Sequence, residues 1–398
     1  MAPDISGAGR AVKDRSHAPC ATANRFRRRE VPSAPAPEIT AGNLAGAKLR
    51  CVRRACPGRG PLAAVSTCGS VFGMIDQRTS SFLSEFLDTP NRDPAVLDRF
   101  LLQGPDGGRR GAKPRLKVAF FDFWPEFDPS ANFFVEILSA RFEVSVVGND
   151  SDLAIVSVFG TRHQEARTAR SMFFTGENVR PPLDGVDMSV SFDRIDDPRH
   201  FRLPLYVMHA YDHLREGAAP YFCHSVLPPV PPAREEAAER KFCAFLYKNP
   251  NCARRNDFFH MLSARRHVES VGWLLNNTGS VVKMGWLPKI RVFSRYRFAF
   301  AFENASHPGY LTEKILDAFQ AGAVPLYWGD PGVLRDVAAG SFIDVSRYSS
   351  DEEAIDAILA VDDDYGAYRR YRSTPPFLGT EDFHFDAYRL AEWIESRL

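Results

Sequence analysis

The order of apolar and polar runs predicts an α/β protein made of two Rossmann-like domains facing a cleft. Three observations predict it. From Leu116 onward, short runs of buried-strand type alternate with amphipathic helical stretches, the rhythm of a parallel sheet covered by helices. A proline-rich join, Leu227-Pro228-Pro229-Val230-Pro231-Pro232, followed by the charged stretch Arg234–Lys241, breaks that rhythm midway. Beyond the join the rhythm starts again. Two doubly wound halves of this kind suit a nucleotide-linked ligand held at the carboxyl ends of strands.

In order along the chain, residues 80–115 carry two short helices and a linker. Phe82, Leu83, Phe86 and Leu87 recur at helical spacing, and Asp93-Pro94 makes an N-cap and first turn before Leu97, Phe100 and Leu101. Gly104-Pro105-Asp106-Gly107-Gly108 through Pro114 is a linker by composition. The first domain is expected over residues 116–232. Its strands are Leu116–Phe123, Phe142–Val147, Leu153–Phe159, Met172–Thr175 and Met188–Phe192, with a helix over residues 131–140. The second domain, residues 233–345, has strands Phe242–Tyr247, Arg297–Phe302 and Val324–Trp328. Helices fall near Asn256–Ser263 and over Glu313–Ala321. Residues 346–398 form polar-faced helices packed over the join.

The chain has 398 residues, 44% of them apolar and 25% charged, with 50 basic against 49 acidic side chains. That balance excludes an intrinsically disordered chain and argues against a dedicated nucleic-acid binder. No apolar run reaches the length of a spanning helix, which argues against a transmembrane protein; the expected location is cytoplasmic. One segment departs from the average. Residues 1–60 hold ten Arg and two Lys against four acidic residues, with few large apolar side chains. Residues 1–79 are therefore expected to be a disordered basic leader, with Met74 an alternative start. The second expectation for it is peripheral contact with an anionic membrane surface. Seven cysteines, four of them before residue 70, do not make a disulfide framework, and a reducing compartment fits.

The chemistry concentrates in Phe298-Ala-Phe-Ala-Phe-Glu303-Asn304, followed by Tyr310-Leu311-Thr312-Glu313-Lys314 and an apolar-faced helix closed by Gly322. Thr312 is a plausible N-cap. Lys314 then falls in the first helical turn, where a cation opposes the helix dipole, and an anion such as phosphate docking there would explain it. An ordinary capped surface helix is the competing reading. Asp362-Asp363-Asp364 reads as a solvated turn, and His209, His213, Cys223 and His224 as polar surface, so no metal site is expected.

This stretch resembles the donor-binding motif of the α1,3-fucosyltransferases, glycosyltransferase family 10: Phe-x-Phe-Glu-Asn, Tyr-x-Thr-Glu-Lys, then Val324-Pro325-Leu326-Tyr327-Trp328-Gly329. Phe174-Thr175-Gly176-Glu177-Asn178 and Arg255-Asn256-Asp257-Phe258-Phe259 are similar to two further family segments, in family order across residues 116–345. The resemblance implies the GT-B arrangement of two Rossmann-like domains, GDP-fucose as donor, a glycan acceptor and inversion at the sugar's anomeric carbon. By motif, Glu177 is the general base, Arg255 and Lys314 hold the diphosphate, Glu313 the ribose, and Asn304 and Tyr310 flank the donor. No divalent metal is implied as essential. Trp124, at a strand's carboxyl end, is the candidate acceptor contact. The expected activity is transfer of L-fucose to a GlcNAc-containing glycan. The alternatives are another GDP-sugar or a catalytically silent sugar-nucleotide binder.

Overall fold

A computed structural model describes residues 112–215, 232–283, 285–377 and 387–398, all within one compact unit. The leader and the helices expected between residues 80 and 102 lie outside the described residues, as does most of the proline-rich join.

The first half is a six-stranded, wholly parallel sheet in the order β2-β1-β3-β4-β5-β6. Its strands are β1 (Arg115–Phe121), β2 (Glu143–Val146), β3 (Ser151–Val156), β4 (Thr168–Phe174), β5 (Met188–Ser191) and β6 (His200–Arg202). Helix α1 (Phe133–Ser139) crosses from β1 to β2, and α2 (Leu205–Arg215) follows β6. Asn132 caps α1 by accepting from the Phe134 and Val135 amides, so the turn after β1 has a fixed exit.

The second half is a five-stranded parallel sheet in the order β11-β10-β9-β7-β8. It comprises α3 (Arg234–Glu239), β7 (Lys241–Phe245), α4 (Ala253–Arg265), β8 (Val268–Ser270), α5 (Trp286–Phe293), β9 (Tyr296–Phe302), α6 (Glu313–Gln320), β10 (Val324–Trp328) and β11 (Ile343–Asp344). β9 reads Tyr-Arg-Phe-Ala-Phe-Ala-Phe. Its phenylalanines pack on one face with Phe245 and Phe258, while Ala299 and Ala301 let helices close on the other.

The C-terminal helices divide between the halves. α7 (Asp351–Asp363) and α8 (Tyr365–Ser373) join the second core through Ala354, Ile355, Ile358 and Tyr368. α9 (Ala387–Glu395) returns to the first half, where Trp393 meets Phe201 and Glu395 pairs with Arg141. Asp362-Asp363-Asp364 is not a solvated turn. The Asp362 carboxylate is only 2% exposed and binds Arg266 and Arg297, Asp363 pairs with Arg266, and Asp364 caps α8. Ion pairing buries the Asp362 carboxylate with its cations already chosen, while Asp363 stays 67% exposed. Among the described residues no helix is long and apolar enough to cross a membrane.

In both sheets the chain reverses direction between the first strand and the third, at β1/β3 and at β7/β9. Open parallel sheets bind ligands at such a reversal, outside the carboxyl ends of the strands.

Candidate active site

The β7/β9 reversal is lined by the loop after β7 and by the segment from β9 to α6. Tyr247, just beyond β7, donates its hydroxyl hydrogen to the Phe302 carbonyl at 3.1 Å and accepts from the Phe302 amide at 2.9 Å. Arg255, in the first turn of α4, lies fully buried with its guanidinium 4.0 Å from the centre of the Tyr247 ring. It donates to the Asn249 carbonyl at 2.6 Å and to Asn304 Oδ1 at 3.0 Å, while its Nε has no partner. Among the described residues no carboxylate pairs with Arg255. An uncompensated buried cation is costly, and it is the site's least expected electrostatic feature.

Glu303 follows β9 directly and is fully buried. Its carboxylate accepts from the Thr312 amide at 2.8 Å, from the Thr312 hydroxyl at 2.7 Å and from the Lys314 ammonium at 3.0 Å. Burial pushes the Glu303 carboxyl up, against the pull of Lys314 and Thr312. Thr312 is the N-cap of α6, so Glu303 places a negative charge at that helix's positive end. The cation in the first turn has a reason the sequence argument did not supply: Lys314 neutralises Glu303.

Glu313 stays 30% exposed beside Lys314, 3.5 Å away, with His209 of α2 3.7 Å away. Burial acts to raise its carboxyl, but Lys314, His209 and Lys289 outweigh that and hold it well below the usual range. His209 is thus not featureless surface, since it meets the donor side from the other half. His213, Cys223 and His224 lie outside the described side chains.

From the first half, β4 ends in Phe174 and delivers Thr175-Gly176-Glu177. The buried Thr175 hydroxyl accepts the Glu177 amide hydrogen at 2.9 Å, which turns the exposed Glu177 side chain outward. Tyr310 comes from the second half, buried against Phe192 with ring centres 4.9 Å apart. Burial pushes the Tyr310 hydroxyl up to about 12; Lys314 opposes this, while Glu303, Glu177 and Glu313 add to it. Glu177 and the donor-side carboxylates therefore act on the same phenol. The charge of Glu177, from the first half, thus bears on a phenol of the second half alongside those of Glu303 and Glu313.

The contact that brings them together is polar and close. Gly309 has φ +89°, and a Cβ there would sit 2.3 Å from the Phe192 carbonyl oxygen, so only glycine fits. Asp193 accepts from the Ser191 hydroxyl at 2.8 Å, pairs with Arg180, and has His307 Nε2 at 3.0 Å. Arg194 binds Asp330 at 3.0 Å and also Asp336, and Arg202 binds Asp336 at 2.7 Å. Glu303, Asp193 and Asp336 carried no sequence assignment. Glu303 sat inside the motif, and its Thr312 partner nine residues on was the available signal.

The family profile described as Alpha-(1,3)-fucosyltransferase FucT N-terminal domain matches residues 118–209. That of Glycosyltransferase family 10 (fucosyltransferase) C-term matches residues 237–376. The chain belongs to glycosyltransferase family 10. This family 10 chain is 32% identical over 288 residues to Alpha-(1,3)-fucosyltransferase FucT of Helicobacter pylori, across 64% of its own length and 59% of that protein. It is 40% identical over 81 residues to a 3-galactosyl-N-acetylglucosaminide 4-alpha-L-fucosyltransferase of Bos taurus, across 20% of this chain and 22% of that one. The crystal structure of an alpha1,3-fucosyltransferase with GDP-fucose matches it with a TM-score of 0.59 at 26% identity, covering 73% of this chain and 92% of that one. The chain thus spans about three-fifths of the Helicobacter relative and about a fifth of the bovine one.

Proposed function

We propose that the chain transfers L-fucose from GDP-fucose to a hydroxyl of a GlcNAc-containing glycan, with inversion at C1. One observation carries this reading: Arg255, a buried cation without a carboxylate, lies at the β7/β9 reversal. A diphosphate would supply the missing anion. Asn304 Oδ1 holds the place of a phosphate oxygen on Arg255 and is displaced when the donor enters. Lys314 adds a second positive group at the start of α6, and Glu313, partly exposed beside it, receives the ribose hydroxyls.

On the opposite side Glu177 takes the proton from the acceptor hydroxyl as that oxygen attacks C1. The bond from C1 to the diphosphate oxygen breaks, and GDP leaves with its new charge held by Arg255 and Lys314. Tyr310 and Asn304 border the donor sugar between these groups, and Trp124 contacts the acceptor. With two cations on the leaving group, a divalent metal is not essential to the step.

A glycan array incubated with GDP-fucose tests the reading, with GDP-mannose as the competing donor. Fucose should appear on GlcNAc-containing glycans. Preferential transfer from GDP-mannose would overturn the donor assignment. Tight GDP binding with no transfer to any glycan would mark the chain as a sugar-nucleotide binder.

A further inference from the structure

Three side chains at the contact between the halves take no part in the transfer step: Arg180 and Asp193 of the first half and His307 of the second. Arg180 lies three residues beyond Glu177, and its two terminal nitrogens hold different partners. Nη2 donates to Asn178 Oδ1, on the residue next to the base. Nη1 contacts both the Asp193 carboxylate and His307 Nε2, which are themselves 3.0 Å apart. The guanidinium lies 4.9 Å from the centre of the Phe192 ring, which also packs against His307 and Tyr310. The His307 carbonyl in turn accepts the Tyr310 amide hydrogen at 3.0 Å. A continuous chain of contacts thus runs from the neighbour of the base to the loop that flanks the donor.

The far end of that chain is rigid. Asp193 is buried and accepts from the Ser191 hydroxyl at 2.8 Å. Burial and then Arg180 lower the His307 pKa, against Asp330, so the ring meets the guanidinium as a neutral acceptor. The near end is a loop. Glu177 is exposed, and its backbone is held by the Thr175 hydroxyl and by the Val179 amide, which donates to the Glu177 carbonyl at 2.7 Å. An exposed carboxylate on a loop keeps its direction only where the loop is tied down. The Arg180 side chain is 39% exposed, and ion pairing at such exposure adds little stability. Stability alone is a weak reason to immobilise it against three partners.

We propose that Arg180 is a positioning residue for the base. Through Asn178 it fixes the Glu177 loop, and through Asp193 and His307 it ties that loop to the half that binds the donor. The inference rests on the proposed role of Glu177 in fucosyl transfer.

The test measures kcat for transfer to an N-acetylglucosamine glycoside and, in parallel, GDP affinity by calorimetry. Arg180→Met should lower kcat about tenfold to a hundredfold, the cost of misplacing a base by about 1 Å, and leave GDP affinity within about twofold. Arg180→Lys should recover little, because one ammonium cannot span Asn178 and the Asp193–His307 pair. His307→Ala, on the other half, should lower kcat severalfold at unchanged GDP affinity. His307→Gln, which keeps an acceptor near the Nε2 position, should restore most of it. The loss must also run through the base: in a Glu177→Ala background, Arg180→Met should lower the remaining kcat by no more than about twofold. Equal losses of kcat and GDP affinity in Arg180→Met would make Arg180 a structural contact, as would a full further loss in the Glu177→Ala background, and either overturns the proposal. So does an unchanged kcat in Arg180→Met. A wild-type chain that binds GDP yet transfers no fucose, or a Glu177→Ala chain that transfers normally, refutes the base and takes the positioning role with it.

Discussion

Replacing Arg255 by Met separates what this residue does for folding from what it does for the donor. In the free protein the guanidinium is fully buried and, among the described residues, lacks a carboxylate, so its desolvation cost of several kcal/mol has few offsets. The hydrogen bonds to Asn249 and Asn304 return about 1.5–3 kcal/mol each, and the stack over Tyr247 about 2. These sums nearly cancel. Arg255→Met fills a similar volume without the charge, so stability in urea should change by no more than about 1 kcal/mol. The donor gains no such cancellation. Losing one charge-assisted phosphate contact of about 3 kcal/mol should weaken GDP binding about a hundredfold by calorimetry. Lysine should recover little, because a point charge cannot bridge the Asn249 carbonyl and a phosphate as the guanidinium fork does. A variant that loses 3 kcal/mol or more of stability while binding GDP normally would show Arg255 to be a structural residue and refute the reasoning.

Glu177→Ala should cut transfer by about 10²–10⁴-fold and leave GDP affinity within about twofold, since the side chain is exposed and belongs to the half opposite the donor; equal losses in both would contradict a base. Lys314→Met leaves burial to raise the Glu303 pKa unopposed by the ammonium. The folded chain then holds that proton above the unfolded pKa, so stability is kept at low pH and lost as pH rises through the raised value. The deficit against wild type should widen in thermal melts as pH rises above the ordinary carboxylate range, and a constant deficit would exclude this linkage. His200 is buried between the Ser189 hydroxyl and the Asp193 carbonyl, and burial lowers its pKa from 6.5 to about 4. Its contribution is complete above the unfolded pKa and lost as pH falls toward 4, about 3 kcal/mol in all; His200→Gln should flatten that part of the acid-denaturation curve. Arg194→Met strips Asp330 and part of Asp336 of a buried partner, which should cost about 3–5 kcal/mol of stability in urea.

Much of the architecture is legible in the sequence because it rests on local pattern. The run from Phe298 to Phe302 cannot be other than a buried strand, and Thr312 marks the start of α6 to the residue. What escaped is short or non-local. β6 and β8 have three residues each, too few for any period to register. α5 hides because Pro288 falls inside its apolar run, although a proline in a first turn is harmless. At the site, the residue types were legible and their partners were not. Lys314 looked like a cation awaiting an anion, yet Glu303, eleven residues earlier, already faces it. Arg194 and Asp336 are 142 residues apart, and nothing local links them. The positive φ of Asp122 has no sequence mark except Gly160, the one residue small enough to pass its carboxylate.

The two halves share a strand order in which the first strand of each lies between the second and the third, and this repetition explains how the work is divided. Each reversal opens a crevice, and each is floored by a buried charge, Asp122 in one and Arg255 in the other. Their signs differ. The carboxylate holds the Arg162 and His163 amides and the His163 imidazole of the loop after β3. The guanidinium waits without a counter-ion, a setting for a diphosphate. Glu177 stands at neither reversal but after β4, where its charge bears on Tyr310 of the other half. In the proposed transfer, Glu177 as base would approach the donor from the half opposite Arg255. Arg194 and Arg202, clamped on Asp330 and Asp336, fix the separation of the two halves on which that approach depends.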